Sequence, residues 1–231
     1  MYFGIIAEGR SDVAVIENIL KGMLSIDKNL DIQHLQPEFD LDETDSHTLS
    51  PGQFSNWNLV RDACIEKRKL EDFFSIDEER YIVIHIDTAE AGDIGYEAAK
   101  PAKPGNSESS RILRQNVINK FDEWLNTNDF QGRLFFAIAI EEIEAWVLTI
   151  YTEQQNDTCM SNDPKDKLYR VLNKKLSAKQ RNVLKKGEYE KFDELSKLFR
   201  KKKKLRDCSC KNESLKLFCE SLDVLCRPST G

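Results

Sequence analysis

No apolar run among these 231 residues approaches the roughly 18 needed for a membrane-spanning helix. With 32% charged residues and a mean hydropathy of -0.55, that class is excluded. Glycine and proline are scarce, at 10 and 6 residues, whereas 40% of the chain is hydrophobic and 12 residues are Phe. This composition excludes a linker or low-complexity polymer and can bury a real core. The opening Met1 to Glu8 has no basic segment, and Glu8 interrupts its apolar stretch. A secretory leader is therefore not expected, and the expected location is the cytoplasm. In that reducing compartment the six cysteines should be free thiols. Four of them lie between Cys208 and Cys226, but Cys208-Ser209-Cys210 lacks the usual two-residue gap of a zinc site. His34, His47 and His85 all lie far upstream. A G-x-G-x-x-G dinucleotide signature is also missing around Gly4 and Gly9, where Glu8 would repel a pyrophosphate.

The formal net charge of -6 conceals a division. From Lys165 to Arg206 there are 17 Lys and Arg against 5 Asp and Glu, a balance of +12, leaving -18 for the rest. A concentrated basic surface attracts phosphate backbones even on an acidic protein, because the local field guides the encounter. The other reading of the same residues is a set of solvated helix faces.

Along the chain, residues 2–7 are apolar and β-favouring, Gly9 to Asp12 read as a turn, and Val13, Ile16, Ile19, Leu20 and Met23 recur at helical spacing. Residues 31–55 are acidic and loop-like, with a short strand expected near Ile32 to Leu35 and a breaker at Ser50-Pro51-Gly52. A second helix is expected from Asn56 to Phe74. Tyr81 to Ile86 is a continuous apolar run of the kind found in strands buried on both faces of a parallel sheet. A loop over Ala98 to Ser110, a helix from Ser110 to Leu125 and a strand over Arg133 to Ile140 follow. A further helix is expected to begin directly at Glu141. From Asp163 the pattern is helical and basic, ending in an amphipathic helix over Asn212 to Leu225. Alternating strands and helices predict an α/β fold, a mainly parallel sheet flanked by helices. The expected division is an α/β domain over 1–155 and a basic helical C-terminal extension over 156–231.

In such a sheet the carboxyl ends of the strands share one edge, which is where open α/β folds bind ligands. Three predicted strands end there in acids: Glu8, then Asp87 with Glu90 close behind, then Glu141 and Glu142. Adjacent strands lie about 4.8 Å apart, so side chains at their tips can approach one ion. Glu141 and Glu144, three apart, would share a helix face. Clustered carboxylates need a cation, and an oxygen-only donor set suits Mg²⁺ or Mn²⁺. Each acid also has a simpler reading, since Ser11 and Asp12 can cap the first helix and Glu141 to Glu144 suit a helix start.

These residues carry a family resemblance. Ile5-Ile6-Ala7-Glu8-Gly9-Arg10-Ser11-Asp12 resembles the opening of a Toprim domain, a Rossmann-like fold with a hydrophobic strand, Glu-Gly and a second acid four residues on. Ile84-His85-Ile86-Asp87-Thr88-Ala89 resembles the Toprim Asp-x-Asp strand with Ala89 in place of the second Asp. Glu141 to Leu148, Asp163-Pro164-Lys165 and Asn212-Glu213-Ser214-Leu215 with Phe218 are similar to Toprim-like families related to RloB-like proteins. More distantly they are similar to the nuclease domains of overcoming-lysogenisation-defect proteins. The resemblance implies a Mg²⁺- or Mn²⁺-dependent nuclease of prokaryotic anti-phage defence, acting on DNA or RNA, with an ATPase partner protein of a defence operon. It places Glu8 and Asp12 in the first acidic motif, Asp87 in the second and Glu144 as a later acid, with Glu8 and Asp87 catalytic. Glu8, Asp12, Asp87, Glu90, Glu141 and Glu144 are then the candidate metal ligands, and Lys201, Lys202, Lys203, Lys204 and Arg206 the candidate nucleic-acid contacts. The departure at Ala89 leaves three alternatives: Glu90 substitutes, the site holds a single ion, or the chain is an inactive binding or regulatory module.

Overall fold

The computed structural model describes residues 1–24, 32–37, 56–76, 79–102, 106–153, 163–177 and 179–226. Its centre is a four-stranded, all-parallel sheet of β1 (Tyr2–Ile6), β2 (Ile32–Gln36), β3 (Arg80–Asp87) and β4 (Leu134–Ala139), in the order β2-β1-β3-β4. Helix α1 (Arg10–Leu24) joins β1 to β2, while α2 (Asn56–Glu66), α3 (Arg68–Phe74) and α4 (Ser107–Leu125) lie along the connections to β3 and β4. The architecture is Rossmann-like α/β, as the alternation of elements predicts. Because β2 and β3 flank β1 on opposite sides, the chain leaves the sheet in two directions between β1 and β3. A crevice opens at such a switch point beyond the strand ends.

Side chains alternate across the strands and build two cores. Phe3, Ile5, Val83, Phe135 and Ala137 pack toward α1, whereas Ile6, Ile82, Ile84, Ile86 and Ile138 pack toward α2, α3 and α4. The first core continues into α5 (Glu144–Tyr151), α6 (Pro164–Lys175), α7 (Glu188–Leu195), α8 (Lys202–Ser209) and α9 (Glu213–Leu222), through Trp146, Leu172, Phe192, Leu205 and Phe218. Helix α1 is thus enclosed by the sheet on one side and by later helices on the other. Asn18 illustrates the docking: its amide donates to Asp193 O at 2.9 Å and to Ser196 Oγ at 2.7 Å. The expected boundary between residues 155 and 156 and the breaker Ser50-Pro51-Gly52 lie outside the described residues.

Three local expectations are corrected. The helix expected over 56–74 is broken at Lys67, whose left-handed backbone (φ 58°) separates α2 from α3. The segment after β4 does not enter a helix at Glu141: that residue is also left-handed (φ 65°), and α5 starts at Glu144. Glu141 and Glu144 therefore do not share a helix face. The last helix ends at Leu222 and tightens into a 3₁₀ turn over Asp223–Cys226. Among the described residues, no helix is long and apolar enough to cross a membrane.

Candidate functional site

Glu8 and Asp87 lie at the tips of the two central strands, at the switch point. β1 and β3 run in register, and Glu8 Oε1 accepts the Asp87 backbone N–H at 2.6 Å. Asp12, in the first turn of α1, accepts the Gly9 N–H at 2.8 Å through Oδ2 and the Ser11 hydroxyl at 3.1 Å through Oδ1. Asp12 therefore caps its helix, the structural role its sequence position allowed, and it also stands over the strand ends. Asp87 has no such support: its Oδ1 is buried with no hydrogen-bond partner.

Burial and crowding push each of these acids above the ordinary carboxylate range. Burial pushes Glu8 up to about 8, against its bond from the Asp87 N–H, with repulsion from Asp12 and Glu90 adding to the rise. Burial likewise pushes Asp12 up to about 7, opposed by the Gly9 and Ser11 bonds and reinforced by Glu188 and Glu142. Asp87 is raised well above the ordinary carboxylate range, by burial first and then by Asp12, Glu8, Glu144 and Glu142. Glu144, at the start of α5, reaches about 7 through burial and the nearby Glu142. Four carboxyl groups from two strand ends and two helix starts thus share one desolvated region.

The rim is tied together by backbone. Glu141 O accepts the N–H groups of Thr88 and Ala89 at 3.1 and 3.0 Å, and the Glu141 N–H is donated to Thr88 Oγ1 at 2.8 Å. The left-handed Glu141 is the local cost of this clasp between the ends of β3 and β4. Burial raises the Glu141 carboxyl, with Lys100 opposing. Lys100 also donates from Nζ to Ala89 O at 2.6 Å, and the Lys165 N–H is donated to Glu142 Oε2 at 3.3 Å. Glu90 is exposed at the edge of the site.

All six sequence-predicted ligands therefore gather at one end of the sheet, with Glu8, Asp12, Asp87 and Glu144 inside and Glu90 and Glu141 at the rim. The predicted nucleic-acid contacts do not join them. Lys202 Nζ donates to Met23 O at 3.3 Å, near the far end of α1, and Arg206 Nη2 stands 3.8 Å from Asp223. The eleven-residue helical path from Asp12 to Met23 is about 16 Å long, so the lysine run sits toward the opposite end of the sheet.

Two contributors carry no motif in the sequence. Tyr96, buried beneath Trp57 and Trp124, donates its hydroxyl to Asp87 O at 3.0 Å. His85 is fully buried between the acids, with Nε2 at 3.4 Å from Asp87 Oδ1 and Nδ1 at 3.8 Å from Asp12 Oδ2. His85 was legible in principle, because two residues before Asp87 on a strand is the same face.

The donor set is one that fits a hard divalent cation: oxygen atoms of several carboxyl groups that share one desolvated region, among them an unpartnered buried oxygen on Asp87. The shell is not preformed, since among the described residues no three His, Cys, Asp or Glu side chains converge closely enough to hold one ion. Side-chain rotation would be needed to bring them together. No family model, curated protein or solved structure matches the chain.

Proposed function

We propose that this protein is a Mg²⁺- or Mn²⁺-dependent nuclease of the Toprim type, hydrolysing phosphodiesters of DNA or RNA. The observation that carries the reading is the position of Glu8 and Asp87 at the switch point of the parallel sheet, with Asp87 Oδ1 buried and unpartnered. Such an ion supplies Lewis acidity toward a phosphodiester oxygen. Asp12, Asp87 and Glu144 are the residues that would hold it. Glu8, raised to about 8, is matched to giving and accepting a proton near neutral pH. Lys100 and Lys165 flank the acids on the rim and offer charge to a phosphate backbone. A role in anti-phage defence beside an ATPase partner, and a cytoplasmic location, belong to the same proposal. The five described cysteines are free thiols.

A second reading is favoured by a specific feature. Ala89 stands where the resembling motif carries an acid, and the side chains are not drawn into a common shell. On that reading the chain is a Toprim-like module that binds nucleic acid or a partner without cleaving.

The deciding experiment incubates purified protein with single- and double-stranded DNA and RNA in Mg²⁺, Mn²⁺ or EDTA, alongside Glu8→Gln and Asp87→Asn. Metal-dependent cleavage by wild type, reduced at least about a hundredfold in Glu8→Gln, is the expected result. Wild-type cleavage rates in purified Glu8→Gln would remove Glu8 from the chemistry. Mn²⁺ binding without cleavage by wild type would favour the module.

A further inference from the structure

His85 forms the floor of the acid cluster. It lies two residues before Asp87 on the same face of β3 and is fully buried. Its ring meets the edge of Trp146 at 6.2 Å, and Trp146 is itself stacked on Phe218 and held by a 2.8 Å bond from Nε1 to Ser214 Oγ. An aliphatic side chain would fill that space without leaving buried nitrogens. Instead both ring nitrogens are buried with no hydrogen-bond partner, each facing a carboxyl group. An unsatisfied buried polar group is costly, so an imidazole kept here needs a role beyond packing.

A neutral imidazole carries a single N–H, its other ring nitrogen being an acceptor. That N–H can serve one acid. Asp12 already has donors in the Gly9 N–H and the Ser11 hydroxyl. Asp87 Oδ1 has none, and it is the nearer of the two, at 3.4 Å against 3.8 Å. We propose that His85 is the positioning residue of the cation site: its Nε2–H is directed to Asp87 Oδ1 and fixes the orientation of that carboxyl group toward the ion, and the imidazole itself is not a ligand. This rests on the reading that the acid cluster takes a divalent cation. Outer hydrogen bonds of this kind set ligand orientation and typically account for about 10- to 100-fold in metal affinity.

The test uses the full chain and the affinity for Mn²⁺ alone, read from the electron paramagnetic resonance of free Mn²⁺, so that no catalytic activity is required. His85→Gln places an amide N–H where Nε2 stands, His85→Asn places one where Nδ1 stands, and His85→Leu removes both. The expected result is near-wild-type affinity in His85→Gln and about 10- to 100-fold weaker binding in His85→Asn and His85→Leu. All variants are checked for cooperative unfolding, and if the leucine variant does not fold, the Gln and Asn pair decides. Equal affinity in folded His85→Asn and wild type, or weak binding in His85→Gln, would overturn the assignment while leaving the cation site standing. Absence of Mn²⁺ binding in wild type would overturn both.

Discussion

At the scale of single residues, the site is a store of protons. Glu8 is raised to about 8, and Asp12 and Glu144 to about 7, whereas the same groups titrate near 4 in an unfolded chain. Between those limits the folded protein binds more protons than the unfolded one. The stabilising effect is full below pH 4, and stability falls as pH rises through 7 to 8. Glutamine at position 8 keeps the acceptor for the Asp87 N–H but cannot ionise. The stability of Glu8→Gln relative to wild type should therefore increase from pH 5 to pH 8.5 when both are unfolded by denaturant in EDTA. Saturating Mn²⁺ should stabilise both proteins, because both keep Asp12, Asp87 and Glu144. A pH-independent difference would mean that Glu8 is not buried as described. Of these residues, Glu8 and Asp87 could be found from sequence because they fall at strand ends, and Asp12 and Glu144 only through the motif resemblance, since they stand at helix starts. His85 and Tyr96 could not be weighted in the same way: a histidine inside an apolar run reads as core, and the loop that folds Tyr96 back under Asp87 has no periodic signal.

At the scale of elements, the strands were the most legible, because continuous apolar runs such as Tyr81 to Ile86 have few alternatives to burial on both faces. The order β2-β1-β3-β4 was not legible, because it depends on which face each crossover helix covers. The breaks at Lys67 and Glu141 are hidden for a related reason: both are left-handed non-glycine residues whose conformation is imposed by tertiary structure, such as the Thr88 and Ala89 clasp on Glu141. Gly22 carries the docking of α1 against the later helices. A Cβ there would stand 1.9 Å from Phe199 O, a backbone atom that cannot step aside without moving its turn. Gly22→Ala should accordingly destabilise the fold by about 1 to 3 kcal/mol in denaturant unfolding, even though alanine is the better helix former. Because Gly22 is near the end of α1 remote from Asp12, a folded Gly22→Ala protein should keep its Mn²⁺ affinity. A gain in stability would show that α1 and the Phe199 turn do not pack closely.

At the scale of the whole molecule, charge and chemistry are separated. The acids occupy the carboxyl edge of the sheet, and Lys201 to Lys204 are exposed at the start of α8, about 16 Å away along α1. Sequence alone showed the two populations but not their distance, since a charge count carries no geometry. Four lysines at a helix start oppose the helix dipole, and no acid in the first turn of α8 relieves them. A polyanion reaching both regions must span about five base pairs of duplex, so the lysines should act on long nucleic acids and not on short ones. Replacing Lys201 to Lys204 with alanine should flatten the dependence of log affinity on log salt by about 0.7 to 0.9 for each phosphate that is no longer neutralised, and should weaken binding across all sequences. The same variant should bind Mn²⁺ as wild type does and should leave the affinity for two- or three-nucleotide fragments unchanged. If long nucleic acids bind with an unaltered slope, the lysines are a solvated helix face, and Lys100 and Lys165 at the rim become the next residues to replace.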